Sequence, residues 1–217
     1  MSESPTRRRF LRGVGLSGAA IAVGGAVLPI EKLLAAAGAQ EVIPTAPELA
    51  AFAETIELAG ASLYGELRGR LSRPEAVSAI AAYQRHHQDH ANAIGPAAGD
   101  KRVSKPNQLL LPTLNDQLRR ASSENDVIRV AYDFENGLAS TYLYIVDTIE
   151  DPATLKRVAS ILPVEAQHAV VLGGLIGRSA KDLTAPDSKQ LGFESEDRRL
   201  DPAQYPSVVT TTSAAPA

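Results

Sequence analysis

Apolar and polar positions recur at helical rather than strand spacing along four stretches of this chain, and helix breakers separate the stretches. The first runs from about Ala46 to Leu71, with Pro47 suited to a first turn. Ser72-Arg73-Pro74-Glu75 reads as a stop and restart: Ser72 caps and Pro74 opens the second helix, which reaches about Ile94 and ends at Gly95-Pro96. A polar connection spans roughly Gly95 to Ser122, with a short helix predicted near Thr113 to Arg120. Ser122-Ser123-Glu124 opens the third helix, which runs to about Glu150. Asp151-Pro152 breaks it and starts the fourth, which ends near Gly177. Pro163 lies inside that last helix, where it removes a backbone donor and is expected to bend it.

The connections alternate short, long, short. Short loops join antiparallel neighbours, and a long crossover lets the second pair pack beside the first. The predicted fold is therefore all-α: a four-helix bundle over 46–178, built from two antiparallel hairpins. Residues 179–217 are polar and end in a Thr/Ser/Ala/Pro run, so an irregular, partly disordered tail is expected there. Composition agrees: Ala is abundant, Trp is absent, and Phe and Tyr are few. The absence of Cys excludes disulfides, zinc-thiolate sites, iron–sulfur clusters and a thiol nucleophile.

The candidate chemistry comes from a degenerate repeat. Glu57-Leu-Ala-Gly-Ala-Ser-Leu-Tyr64 in the first hairpin is echoed by Glu135-Asn-Gly-Leu-Ala-Ser-Thr-Tyr142 in the second. Glu57 lies 30 residues before His87 and 33 before His90. Glu135 lies 30 before Glu165 and 33 before His168, so the repeat is offset by 78 residues. Residues three apart share a helix face, so His87 points with His90, and Glu165 with His168. A seven-residue step is about two turns, so each Glu shares a face with its Tyr. His86 is placed outward, although a pairing of His86 with His90 is an alternative register. Tyr83 and Gln84 read as packing and surface residues.

This pattern resembles the ferritin-like di-metal carboxylate proteins, which carry one Glu on each of two helices and Glu-x-x-His on each of the other two. The resemblance covers roughly Pro47 to Gly177 and implies a ferritin-like bundle with Glu57, His87, His90, Glu135, Glu165 and His168 as metal ligands. Tyr64 and Tyr142 are then expected to hydrogen-bond to ligand carboxylates across the bundle and orient them. One position departs: His87 stands where the family has Glu, so three carboxylates replace four. Imbalance of charge in a low-dielectric interior is costly, and weaker or asymmetric loading follows. One ion is expected at Glu135, Glu165 and His168, with a second site weaker and richer in imidazole. Imidazole with carboxylate suits iron, manganese, zinc or copper, and iron is the first expectation, as one or two ions. The implied function is oxygen, peroxide or ferrous-iron redox chemistry by an oxidase or peroxidase. The alternative is a non-enzymatic metal-binding or structural envelope protein with a degenerate site.

The N-terminus changes the picture of where this happens. Arg7-Arg8-Arg9-Phe10-Leu11-Arg12 precedes an uncharged stretch from Gly13 to Ile30 and the small-x-small triplet Ala37-Gly38-Ala39. This resembles a twin-arginine signal peptide over 1–39, cleaved or retained as an anchor. It implies passage through the twin-arginine export machinery to a periplasmic, cell-envelope or extracellular location. Removing the five basic and two acidic residues of that segment from the chain's 22 and 25 leaves 17 basic against 23 acidic. An acidic exported protein fits cations as partners and not nucleic acid. Ferritin-like bundles often pair, so a homodimer is a further expectation.

Overall fold

The computed structural model describes residues 44–183 and 198–208, together with the backbone of two short strands. The strands, β1 (Ala20–Val23) and β2 (Ala26–Pro29), pair antiparallel and belong to a separate N-terminal unit, residues 1–43. The Arg pair, the cleavage triplet and the Thr/Ser/Ala/Pro end of the chain lie outside the described residues.

The second unit is helical. Its elements are α1 (Ala46–Arg68), α2 (Pro74–Ile94), a 3₁₀ segment (Gly95–Lys101), α3 (Leu110–Arg120), α4 (Glu124–Thr148), α5 (Pro152–Leu175) and α6 (Ala180–Leu183). Local chemistry sets most boundaries. The Thr45 N–H donates to the Glu48 carboxylate at 2.9 Å, closing the first turn of α1. Ser123 and Asp126 form a reciprocal box at the start of α4, with Ser123 N to Asp126 Oδ2 and Asp126 N to Ser123 Oγ both 3.1 Å. Asp151 caps α5 by accepting the Thr154 N–H at 2.7 Å. Pro152 and Pro74 occupy first turns, where the missing N–H removes no helical bond. The chain continues as helix through Pro163.

Three boundaries differ from the sequence reading, two through contacts between distant segments and one through a local Asn cap. Helix α1 ends at Arg68, short of Leu71. Arg70 turns away to donate to the carbonyls of Leu118 and Ala121 at the end of α3. Ser72 does not cap α2; it donates to Glu124 at 2.7 Å, and the cap position is Arg73. Helix α3 begins at Leu110, ahead of Thr113, because buried Asn107 accepts the N–H groups of Leu109 (3.2 Å) and Leu110 (3.0 Å). The same Asn107 ties the crossover to α1 through its N–H and the Thr55 carbonyl, 2.9 Å, and donates to the Tyr205 carbonyl of the tail, 2.9 Å.

The core is aliphatic with few rings, filled by residues such as Leu49, Phe52, Ile56 and Leu63 on α1 and Ile128, Leu138 and Ile145 on α4. Helix α1 packs along α2, and α4 along α5; the hairpins meet where α1 touches α4 and α2 touches α5. Part of the tail lies on this bundle. Leu200 N–H donates to Thr141 Oγ1 at 2.9 Å. Gly137 admits the Arg198 carbonyl, which would stand 3.1 Å from a Cβ there. The fold thus leaves four helix faces directed inward at mid-height, and the polar residues of the repeat sit on those faces.

Candidate metal centre

Each hairpin brings its first-helix carboxylate level with the pair on its second helix. Glu57 on α1 meets α2, where Glu57 Oε2 is 2.7 Å from His87 Nδ1 and Glu57 Oε1 is 3.7 Å from His90 Nδ1. Glu135 on α4 meets α5, where Glu135 Oε2 is 3.4 Å from His168 Nδ1. The hairpins then interlock. His87 Nε2 is 3.0 Å from Glu135 Oε1, and His90 Nδ1 is 2.6 Å from Glu165 Oε1. The structure therefore brings all six residues together, as two overlapping groups: Glu57, His87, His90 and Glu165, and His87, Glu135, Glu165 and His168. Within each group the potential ligand atoms lie within 4.8 Å of one another. All are buried except His90, which keeps 13 % side-chain exposure.

The two tyrosines cross between hairpins. Tyr64 on α1 donates to Glu135 Oε1, and Tyr142 on α4 donates to Glu57 Oε1 at 2.5 Å. Each phenol thus fixes the carboxylate of the opposite half. Burial and then the carboxylate beside it raise each hydroxyl well above its usual value, so both remain donors.

Space for the His87 ring depends on Gly60, one turn from Glu57 on α1. A Cβ there would stand 3.1 Å from His87 Cγ and 2.9 Å from the Phe134 ring. The repeat places Leu138 at the corresponding point of α4. The wider side chain at 87 and the missing side chain at 60 belong together.

Hydrogen bonding divides the six residues into two kinds. Glu57 and His87 are fully engaged. Glu57 accepts from Tyr142 and His87, and both ring nitrogens of His87 contact carboxylates. In contrast, His90 Nδ1, Glu135 Oε2, both oxygens of Glu165 and His168 Nδ1 are buried without a hydrogen-bond partner. The 2.6 Å contact of His90 with Glu165 lacks hydrogen-bond alignment. Buried polar atoms without partners are rare and costly. Here five of them converge from α2, α4 and α5, and all are metal-ligand atoms. A transition ion fits the part of this set on Glu135, Glu165 and His168, whose ligand atoms lie in one group, while His90 belongs to the other group with Glu165.

The electrostatics follow. Burial alone would favour neutral carboxyls, but the hydrogen bond to His87 and the nearby His90 imidazole bring Glu57 down to about 2. Burial is likewise outweighed at Glu135 by the His87 charge and the nearby His168 imidazole, which hold it well below the usual range. Glu165 goes the other way, pushed up to about 7 by burial and the charges of Glu57 and Glu135. Burial opposes charge on the imidazoles too, yet the carboxylates raise His87 and His168, and Glu165 and Glu57 raise His90 to about 10. In the metal-free cluster protons serve as the cations.

A model of the ferritin-like domain family matches residues 48–178, well over half of the chain. The chain belongs to this ferritin-like domain family. No curated protein and no solved structure matches it. The ferritin-like domain ends close to the last turn of α5, so the match covers all four bundle helices and every residue of the cluster.

Sequence reasoning overlooked two residues here. Gly60 lay inside the repeat but carried no chemistry of its own. His86 was placed outward, and it is exposed, yet its Nδ1 lies 2.9 Å from His168 Nε2. The alternative pairing of His86 with His90 does not form; their ring centroids are 6.4 Å apart, while His87 and His90 both reach carboxylates.

These shifts predict how stability depends on pH. A raised group stabilises the fold below its unfolded value and loses that contribution as pH rises through its folded value. That applies to Glu165, between 4.5 and about 7, and to His90, between 6.5 and about 10. Glu57 works oppositely, losing its contribution as pH falls from 4.5 through about 2. The metal-free protein should therefore show a falling Tm from about pH 5 to about pH 10, whereas zinc-loaded protein, with the Glu165 proton displaced, should fall less steeply over the lower part of that range. Thermal unfolding of both forms across that range checks this; parallel curves would contradict it.

Proposed function

We propose that this is an exported metal-binding protein whose bundle holds one divalent transition ion, iron before manganese, zinc or copper. The observation that carries the reading is the set of buried, unpartnered ligand atoms on Glu135, Glu165 and His168, which lie within one group. Charge supports a single ion. Three buried carboxylates contribute three negative charges. His87, with each ring nitrogen against a carboxylate oxygen, contributes one positive charge, and one divalent ion balances the remainder.

The residues divide the work. Tyr64 and His87 hold Glu135 by Oε1 and leave Oε2 bare. Tyr142 and His87 hold Glu57, which keeps His87 in place. Glu165, with both oxygens bare, is the carboxylate free to change its mode of binding. His90 borders solvent and is the side from which an ion or a small oxidant reaches the cluster. When bound, iron or manganese supplies one-electron exchange with dioxygen, peroxide or ferrous iron.

A second reading is favoured by the same His87 contacts. Because protons already neutralise part of the cluster, the site is tolerable without metal, as expected of a binding or structural protein that performs no turnover. Ferrous oxidation no faster than a protein-free control would select that reading.

Metal analysis with anaerobic ferrous titration tests the main one. The expected result is one ion per chain, rising to two in His87→Glu, where a fourth carboxylate restores balance for a second ion. Protein that carries no transition metal and takes none up would sink the proposal.

Export rests on Arg7-Arg8, Phe10-Leu11 and the Ala37-Gly38-Ala39 triplet. Lys at both Arg7 and Arg8 should retain the protein in the cytoplasm of a host that has the twin-arginine route. Fractionation showing undiminished export of that double variant would contradict it.

A further inference from the structure

His168 presents its two ring nitrogens to different surroundings. Nδ1 points inward, 3.2 Å from Glu165 Oε2 and 3.4 Å from Glu135 Oε2, without a hydrogen-bond partner. Nε2 points outward to His86 Nδ1 at 2.9 Å. The two rings lie nearly parallel, 18° apart with centroids at 5.2 Å, and Tyr83 stacks on His168 at 3.8 Å. His168 is therefore held by a stack and by one directional contact.

A neutral imidazole carries one proton, and an ion at Nδ1 requires it on Nε2. That proton then needs an acceptor, and His86 Nδ1 is in place to be one. The repeat sharpens the point. The residue corresponding to His86, 78 positions on, is Val164, which offers no acceptor. Of the two histidines at equivalent positions, His168 has an outer imidazole partner supplied by the repeat and His90 does not.

We propose that His86 is a positioning residue for the metal centre: it accepts the Nε2–H of His168, fixes that ring with Nδ1 toward Glu135 and Glu165, and so directs the ion to the His168 half of the cluster. This rests on the metal-binding reading above. Groups that orient a ligating histidine through its second nitrogen typically change metal affinity by about 10–100-fold when removed.

The test uses the full chain with labelled histidine, zinc as a diamagnetic probe, and two variants. His86→Leu removes the acceptor. His86→Asn restores one, since Asn Oδ1 is two bonds from Cβ, as Nδ1 is in histidine. Zinc affinity should fall about 10–100-fold in His86→Leu and return to within about threefold of wild type in His86→Asn. In the zinc-loaded wild type, ring-nitrogen NMR should show His168 metallated at Nδ1 and protonated at Nε2. The metal-free protein should show a hydrogen-bonded His168 Nε2–H that His86→Leu loses. Unchanged zinc affinity together with unchanged His168 resonances in His86→Leu overturns the proposal, as does an Asn variant as weak as the Leu variant. Wild type that takes up no zinc sinks the metal reading instead; the metal-free resonances then decide His86 alone, their loss in His86→Leu supporting the contact and their persistence overturning it.

Discussion

Three carboxylates buried in one helical interior are the constraint around which this protein is organised. Each isolated buried charge would cost several kcal/mol, and mutual repulsion adds to it. The bundle answers with hydrogen-bond donors and protonated imidazoles. Tyr64 and Tyr142 cross between hairpins, and His87 lies between Glu57 and Glu135. These contacts join α1 to α4 and α2 to both, so they also hold the two hairpins together. What remains unpartnered, chiefly Glu165 and the inner face of His168, is the part of the cluster to which the proposed ion is assigned.

The difference between the two halves of the repeat, His87 in one where the other has Glu165, is then intelligible. An imidazole at 87 removes one negative charge and brings its own positive one. It also needs more room, which Gly60 provides. The two halves of the repeat differ: one is self-neutralised and the other is open. His86, beside His87 on α2, extends the asymmetry by serving His168 in the opposite half.

Much of this was legible in the chain. Helix starts at Ser123 and Asp151 follow from local capping, and the 30/33 spacing is a property of hairpins of equal length. The six cluster residues could be read together because helical periodicity converts spacing into facing. What escaped reading depended on contacts between distant segments. Arg70 ends α1 because of α3, and Asn107 starts α3 while holding α1 and the tail. The Asn107 cap on α3 is itself local, but no local pattern carries the Arg70 contacts or the hold of Asn107 on α1 and the tail. His86 escaped because a helix wheel assigns it outward, correctly, but does not show that α5 places His168 within its reach. One signal was available: all four histidines of the chain fall at this level of the bundle.

The central claim is that His87 occupies the place of one cation and leaves room for a single ion. Anomalous diffraction from crystals soaked in ferrous iron or zinc addresses it most directly. The account predicts one peak, bonded by Glu135, Glu165 and His168, with His87 still joining Glu57 to Glu135. Two peaks of equal height in the cluster, or none at any metal concentration, would contradict it.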